Sequence, residues 1–162
     1  MDGPEGVGVG QRVEIRVTIH NASDHAIWIV GVVDGSEGGV RFPRYIPSVK
    51  LDGRVVAAPP PPEDPLVGPL RVEDFHRLDP GESFDPTRQA RGAAYLPLST
   101  FANFTPSKQG NHRFELALST QSDSPEQWLG RFNQEDDRAS VLELIEKVPS
   151  LSVTAAFEIE AR

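Results

Sequence analysis

Three segments of this chain alternate apolar and polar residues with a period of two, and no other feature of the sequence constrains the fold as strongly. They are residues 12–20, 112–120 and 151–160. Successive side chains of a β-strand point to opposite faces, so this alternation predicts strands with one buried face. The residues expected to face inward are Val13, Ile15, Val17 and Ile19, then His112, Phe114, Leu116 and Leu118, then Leu151, Val153, Ala155, Phe157 and Ile159.

Further strands are indicated between these segments. Residues 26–33 are almost all apolar and rich in β-branched side chains, which is typical of a central strand. The polar turn at residues 21–24 predicts that this strand pairs with residues 12–20 as an antiparallel hairpin. Asp52-Gly53 stands between two short apolar runs and predicts a two-residue hairpin turn. The 15 Pro and 14 Gly residues indicate many turns and long connections, as in an all-β fold.

One segment has the period of a helix. Over residues 140–148, the apolar residues Val141, Leu144, Ile145 and Val148 follow the i, i+3, i+4, i+7 spacing of an amphipathic helix. Ser140 and Glu143 form a capping-box pattern at its start, and Pro149 ends it. We expect one short helix packed at the edge or end of a sandwich.

The domain organisation follows from length and composition. A chain of 162 residues is expected to form one domain with a normal core. Residues 1–10 are Gly-rich and predict a flexible lead-in, and residues 11–162 predict the β-sandwich domain. Short strands separated by turns indicate two packed antiparallel sheets.

Several turn motifs resemble those of bacterial immunoglobulin-like domains. They are the segments Val-Thr-Ile-His-Asn-Ala-Ser at 17–23, Leu-Asp-Pro-Gly-Glu-Ser at 78–83, Gly-Asn-His-Arg-Phe-Glu-Leu at 110–116 and Trp-Leu-Gly at 128–130. Accessory domains of deuterolysin-type zinc proteases and small intracellular protease inhibitors of bacilli are similar. This sequence has His112 where Tyr is usual, and it adds the insert at 56–69 and the helix near 140. The resemblance implies an immunoglobulin-like antiparallel β-sandwich that supplies no catalytic residue.

Charge and cysteine content limit the partners and the chemistry. The formal net charge of −8 argues against binding to nucleic acid or to an anionic membrane surface. The absence of cysteine excludes disulfides, thiol catalysis and zinc sites made with Cys. No apolar run approaches the ~20 residues of a membrane span. The start of the chain has no leader pattern, so we expect a cytoplasmic protein, or an exported one whose leader has been removed.

No catalytic motif is recognisable, and we expect neither an enzyme nor a bound cofactor. Gly-x-Ser-x-Gly, phosphate-binding loop, dinucleotide and His-Glu-x-x-His patterns are all missing from the sequence. His20, Asp24 and His25 flank the first turn, and a hairpin there would bring them together as a metal site. The alternative is a set of solvated turn residues. Acidic residues 135–137 are explained more simply as a solvated loop and helix start.

The function indicated by these features is a non-catalytic protein-interaction or accessory domain that recognises a partner through its end loops, 34–47 and 56–69. A protease-inhibitor-like domain that uses the Pro-rich loop 56–69 is the alternative. Metal binding and carbohydrate binding are weaker alternatives. An exposed aromatic surface would suit sugars or a protein partner, whereas the simpler interpretation is that the same aromatic residues fill the core. These residues are Tyr95, Phe101, Phe104, Trp128 and Phe132. The candidate partner-binding residues are Arg41, Phe42, Arg44, Tyr45, Pro60, Pro61 and Trp128.

Overall fold

The computed structural model of the chain describes residues 1–62, 66–88, 93 and 95–162, and it is predominantly β. The strands are β1 (Gly6–Val7), β2 (Ile19–His20), β3 (Ile27–Val30), β4 (Arg44–Leu51), β5 (Arg54–Ala57), β6 (Phe75–Leu78), β7 (Ser83–Phe84), β8 (Gly110–Ser119) and β9 (Ser152–Ala161). The α-helices are α1 (Ser99–Ala102) and α2 (Arg138–Ile145), and single 3₁₀ turns occupy Val72–Asp74 and Pro125–Trp128.

The largest sheet has five strands in the order β1-β9-β8-β4-β5. All its pairs are antiparallel except β1 with β9. The alternation predicted for β8 is confirmed, because His112, Phe114, Leu116 and Leu118 are buried. On β9 the core covers only the second half. Ile159 is buried, whereas Val153 is 50% exposed although it pairs with Leu118.

The predicted hairpin between residues 12–20 and 26–33 is wrong. Within the first segment only Ile19–His20 is a strand, although Val13 and Val17 are buried as the alternation predicts. Strand β2 pairs with β7, and β3 pairs with β6, both antiparallel. The two segments therefore pair with different strands and not with each other.

Asn21 bonds to both of the segments that pair with β2 and β3. Its side-chain Nδ2 donates to the carbonyl oxygens of His25 (2.8 Å) and Leu78 (2.9 Å). Its backbone N–H donates to Glu82 O, and its own carbonyl accepts from Gly81 N, both at 2.9 Å. Asn21 Oδ1 also accepts from Ser23 N (3.0 Å), so the predicted local turn forms. The long-range bonds of the same residue favour pairing with residues 75–84 over a local hairpin.

Strand β3 lies between two layers of the core. Ile29 belongs to a cluster with residues of the five-stranded sheet, whereas Val30 on the opposite face belongs to a cluster that includes Trp128 and residues of α2. The first cluster contains Val13, Val17, Ile29, Val32, Tyr45, Val49, Leu98, Phe101, Phe114, Leu116, Leu118 and Ile159. The apolar run at 26–33 is explained by burial on both faces.

The predicted helix exists but begins earlier than residue 140. Helix α2 starts after Asp137, and Val141 N donates to Asp137 O at 2.9 Å. The capping box at Ser140 and Glu143 is therefore wrong, because Ser140 lies inside the helix. Val141 and Ile145 are buried, as the stripe predicts. The carboxylates at 135–137 suit the positive end of the helix dipole and favour the earlier start.

The hairpin turn at Asp52-Gly53 and the N-terminal residues complete the five-stranded sheet at its two edges. Asp52 and Gly53 have φ values of 51° and 76°, so the predicted hairpin turn between β4 and β5 is confirmed as the type that needs positive φ at both central residues. The N-terminal residues, expected to be a flexible lead-in, are paired: β1 joins β9, and Asp2 forms a bridge with Arg16.

Removal of a core side chain from β8 should cost far more stability than removal of an exposed one from β9. Phe114 has no exposed surface, and Val153 is half exposed. We expect Phe114→Ala to lower the free energy of unfolding by about 3–5 kcal/mol and Val153→Ala by under about 0.5 kcal/mol. Urea denaturation of both variants measures the difference, and equal losses would contradict this assignment of the core.

Both tyrosines should resist ionisation in the folded protein. The Tyr45 hydroxyl donates to Val30 O (2.7 Å), and that of Tyr95 donates to Asp74 O (2.5 Å). Burial raises the pKa of Tyr45 well above its ordinary value and raises the pKa of Tyr95 to about 12. An unfolded tyrosine titrates at about pH 10. The stability that results from burial of the neutral hydroxyls is therefore complete below that pH, and it is lost as the pH rises towards 12.

The measurement is a titration of tyrosinate absorbance, with the urea-unfolded chain as its control. We expect the folded protein to develop little signal at the pH where the unfolded chain is half titrated. A folded protein that titrates together with the unfolded control would contradict the burial of both rings.

Candidate functional site

The two loops expected to carry recognition meet at one surface groove. Two clefts of about 670 and 530 Å³ share Ala58, Ser99, Thr100 and Asn103 in their linings and therefore adjoin each other. We call the two adjoining clefts together the groove. Residues 56–62 form its first wall, and residues 99–100, 103–105 and 107–108 form its second wall. Residues 63–65, within the predicted loop 56–69, lie outside the described part of the chain.

The Pro59–Pro62 run makes the first wall stiff. Proline fixes φ and removes a backbone donor, so four in succession hold an extended conformation. Pro60, Pro61 and Pro62 are exposed along the groove, while Pro59 is half-buried. Pro60 and Pro61, two of the candidate partner-binding residues, thus face solvent at the rim of a cleft.

Glu37 attaches the first loop to the second wall. Its Oε2 accepts from Ser99 N (2.7 Å), and its Oε1 accepts from Thr100 N (2.7 Å) and from the Thr100 hydroxyl (2.6 Å). These amides belong to the first turn of α1, where no intrahelical acceptor exists. Glu37 therefore holds a four-residue helix that is too short to be stable alone.

The backbone of Gly68 joins the two loops. Its N–H donates to Asp34 Oδ2 at 3.2 Å, and its carbonyl accepts from Arg41 Nη1 at 2.7 Å. We call this arrangement the Gly68 clip. Arg41 is 3% exposed, and its Nε has no hydrogen-bond partner among the residues that the structure describes. Burial lowers the pKa of the Arg41 guanidinium, and the carboxylates of Asp34 and Asp74 oppose that shift.

Residues 128–130 pack against the Gly68 clip. A Cβ at Gly130 would lie 2.4 Å from Gly68 O, so only glycine permits this close approach. Trp128 is 1% exposed, and its Nε1 donates to Ser122 Oγ at 2.8 Å. The Trp-Leu-Gly motif singled out in the sequence therefore holds the loop in place and does not form part of its surface.

The candidate partner-binding residues divide into two groups. Arg41, Phe42, Tyr45 and Trp128 are buried and offer no surface to a partner. Arg44, Pro60 and Pro61 are exposed, and the Arg44 guanidinium lies 4.3 Å from the centroid of the Phe42 ring. The aromatic surface considered above is not formed, since Tyr95, Phe101 and Trp128 are core residues and only Phe132, at 47%, is largely exposed.

His20, Asp24 and His25 do not come together as a metal site. His20 Nδ1 bonds to Ser83 Oγ, and His25 Nδ1 bonds to Asp24 Oδ1, both at 2.9 Å. Within the described ranges, no group of three or more His, Asp or Glu side chains is placed to hold a metal ion. The bond from His25 lowers the pKa of Asp24, which is fully exposed.

The second wall of the groove was not found by sequence reasoning. Ser99, Thr100 and Asn103 line both clefts, and Lys108 lines the second. A helix of one turn has no measurable period, and the partner that stabilises it, Glu37, is remote in sequence. The only local signal is the pair of hydroxyl residues Ser99 and Thr100 directly after the apolar segment that ends at Leu98.

Comparisons with protein-family models, curated proteins and solved structures found no match to this chain. No helix in the described part of the chain is long and apolar enough to cross a membrane. The case for a function therefore depends on the groove itself.

Loss of the Glu37 carboxylate should loosen the groove measurably. Glu37→Ala leaves the first-turn amides of α1 without their acceptor, so we expect a loss of about 1–2 kcal/mol in unfolding free energy. Glu146→Ala, at an exposed carboxylate outside the groove, is the matched control and should change little. Denaturant melts compare the two, and hydrogen exchange at Ser99 and Thr100 should accelerate only in Glu37→Ala. Unchanged exchange there would show that Glu37 does not hold the helix.

Proposed function

We propose that this chain is a non-catalytic protein-interaction or accessory domain that binds its partner in the groove between residues 56–62 and α1. The observation that carries the proposal is the convergence of the two end loops on this one cleft. Their attachment through Glu37 and through the Gly68 clip means that both walls exist before a partner arrives. A site ordered in advance costs less conformational entropy on binding.

The walls also have the composition of a recognition surface. Val40, Val67 and Ala58 line the groove together with the exposed prolines, and hydroxyl and amide groups of α1 and Asn103 face them. Binding sites of this kind are mainly apolar with a few placed polar groups that fix orientation. Of these lining residues, Ala58, Pro60, Pro61, Pro62 and Asn103 are exposed.

We further propose that the fold is an immunoglobulin-like sandwich. The order β9-β8-β4-β5 corresponds to that of strands G, F, C and C′ in a variable-type domain, and the β3–β6 ladder corresponds to strands B and E of the second sheet. The cluster shared by Ile29 and the five-stranded sheet supports packing of the two layers against each other. In such domains the end loops commonly carry binding, which agrees with the position of the groove.

A protease-inhibitor-like activity is the second candidate. It is favoured by the exposed, stiff Pro60–Pro62 segment, which has the rigidity that a loop inserted into an active site requires. Under this alternative the Pro run itself enters the partner, whereas under the first proposal it forms a wall around a segment of the partner.

Site-specific photo-crosslinking separates these possibilities. A photoreactive residue at position 103 lies in the groove, and one at position 153 lies on the exposed half of β9 as a control. We expect the probe at 103, and not the one at 153, to capture a defined protein in cells that produce this chain. Equal capture by both probes, or capture by neither, would contradict binding in the groove.

The inhibitor alternative has its own readout. If the captured protein is a protease, its activity is measured with the purified chain and with the Pro60→Gly, Pro61→Gly double variant. Inhibition that the double variant loses would favour the inhibitor over the accessory domain. Unchanged protease activity in the presence of the intact chain would remove the inhibitor candidate.

A further inference from the structure

We propose that the groove binds an extended segment of the partner that carries a basic residue at one end, an acidic residue at the other and apolar residues between them. This inference rests on the proposed function and names the chemistry of the ligand. It depends on the distribution of charge along the groove, on its length, and on the structure of the adjacent sheet edge.

The two clefts of the groove have opposite charge. The cleft beside the first loop is lined by Asp34 and Glu37, and none of its described lining residues is basic. The cleft beside β8 is lined by Lys108 and His112, and none of its described lining residues is acidic. Such polarity orients a ligand of complementary charge and excludes one of reversed charge.

Contacts within the fold do not cancel the negative charge of the first cleft. The Arg41 guanidinium interacts with the carboxylates of both Asp34 and Asp74. Together with Glu37, three carboxylates therefore stand against one guanidinium in this region. Asp34 is exposed and uses only Oδ2 in the Gly68 clip. Among the described residues, its Oδ1 has no hydrogen-bond partner and is available for a basic group of the ligand.

Lys108 gives the second cleft its positive charge. It is exposed, and no carboxylate in the described part of the chain forms a salt bridge with it. The buried His112 bonds through Nδ1 to Gly110 O (3.1 Å), a contact in which the ring nitrogen donates. In a chain of net charge −8, an ammonium group left unpaired at a cleft is suited to an acidic group of a partner.

The length of the groove fits a short extended segment. Residues 56–62 form its wall, and at ~3.1–3.3 Å per residue this wall is about 20 Å long. An extended ligand of about six residues spans the same length. The linings also contain Val40 and Val67 in the first cleft and Val56 and Phe104 in the second, which favour apolar side chains between the charged residues of the ligand.

The sheet edge next to the groove is a poor place for an added strand. Strand β5 has four residues, its register against β4 is irregular at Val49 and Lys50, and proline follows it at 59. Short, irregular edges that end in proline resist pairing with another strand. We therefore infer recognition through side chains in the groove and not through extension of the sheet by a peptide or by a second copy.

The test is selection from a phage-displayed library of random peptides of about twelve residues, longer than the ~20 Å wall requires. The intact chain is the bait, and Asn103→Trp, which fills the groove, is the counter-selection bait. We expect enriched peptides with one basic and one acidic residue about five positions apart, separated by apolar residues. Absence of peptides that prefer the intact chain over Asn103→Trp would overturn the inference.

Charge variants then test the polarity. Lys108→Glu should weaken a selected peptide by roughly fivefold or more, and the loss should shrink at high salt. Asp34→Asn keeps an oxygen for Gly68 N and should weaken the same peptide by roughly two- to fivefold. Arg54→Glu, at an exposed cation on β5 outside the groove lining, is the matched control and should leave affinity unchanged.

The outcomes are distinguishable from failure of the proposed function. Peptides that need an open groove but show no charge preference, or equal affinity for Lys108→Glu, would overturn the polarity and leave the crosslinking result at position 103 intact. A concentration-dependent dimer that Val56→Lys abolishes, together with no peptide binding, would replace the peptide with a second copy of the chain. Circular dichroism and melting of each variant confirm that it is folded.

Discussion

The burial of β3 on both faces is the constraint on which the rest of the structure depends. Ile29 contributes to the cluster beneath the five-stranded sheet, and Val30 contributes to the cluster covered by Trp128 and α2. A strand with two apolar faces needs a cover on each side, so the sheet and the helical segment are fixed relative to it. Strands β3 and β6 are antiparallel and Val30 pairs with Phe75, so the chain after β3 and the chain before β6 lie at the same end of this ladder. These are the segments that lead to residues 34–47 and from residues 66–70.

The same packing positions a charge that would otherwise be costly. A buried guanidinium loses its hydration, and Arg41 recovers this only in part through Gly68 O and through the nearby Asp34 and Asp74 carboxylates. The unpartnered Nε adds to that cost. The arrangement brings the two loops together, so the stability that is given up at Arg41 maintains the shape of the groove. An apolar side chain at position 41 would bury a similar volume, but it could not donate a hydrogen bond to Gly68 O.

Strands β8 and β9 and the Asp52-Gly53 turn could be predicted because their signals are local. Strand β8 follows its alternation along its full length, and α2 buries Val141 and Ile145 as its spacing indicates. The pairing of β2 with β7 and of β3 with β6 could not be predicted, because it depends on contacts such as those of Asn21 with residues about sixty positions away. For the site, the sequence indicated both loops and the exposed prolines. It could not indicate that Arg41, Phe42, Tyr45 and Trp128 are buried, since charged and aromatic side chains occur in cores and on surfaces alike.

The close approach of Gly130 to Gly68 limits which residue position 130 can accept during evolution. Any side chain at this position would collide with Gly68 O, so the loops cannot be joined in this way by a protein that has another residue there. Substitution of the exposed groove residues changes what is bound, whereas substitution of Gly130 changes whether the loop is held at all. A distant relative that shares the architecture would therefore retain a glycine after its Trp-Leu pair even where little else in the two sequences can be aligned.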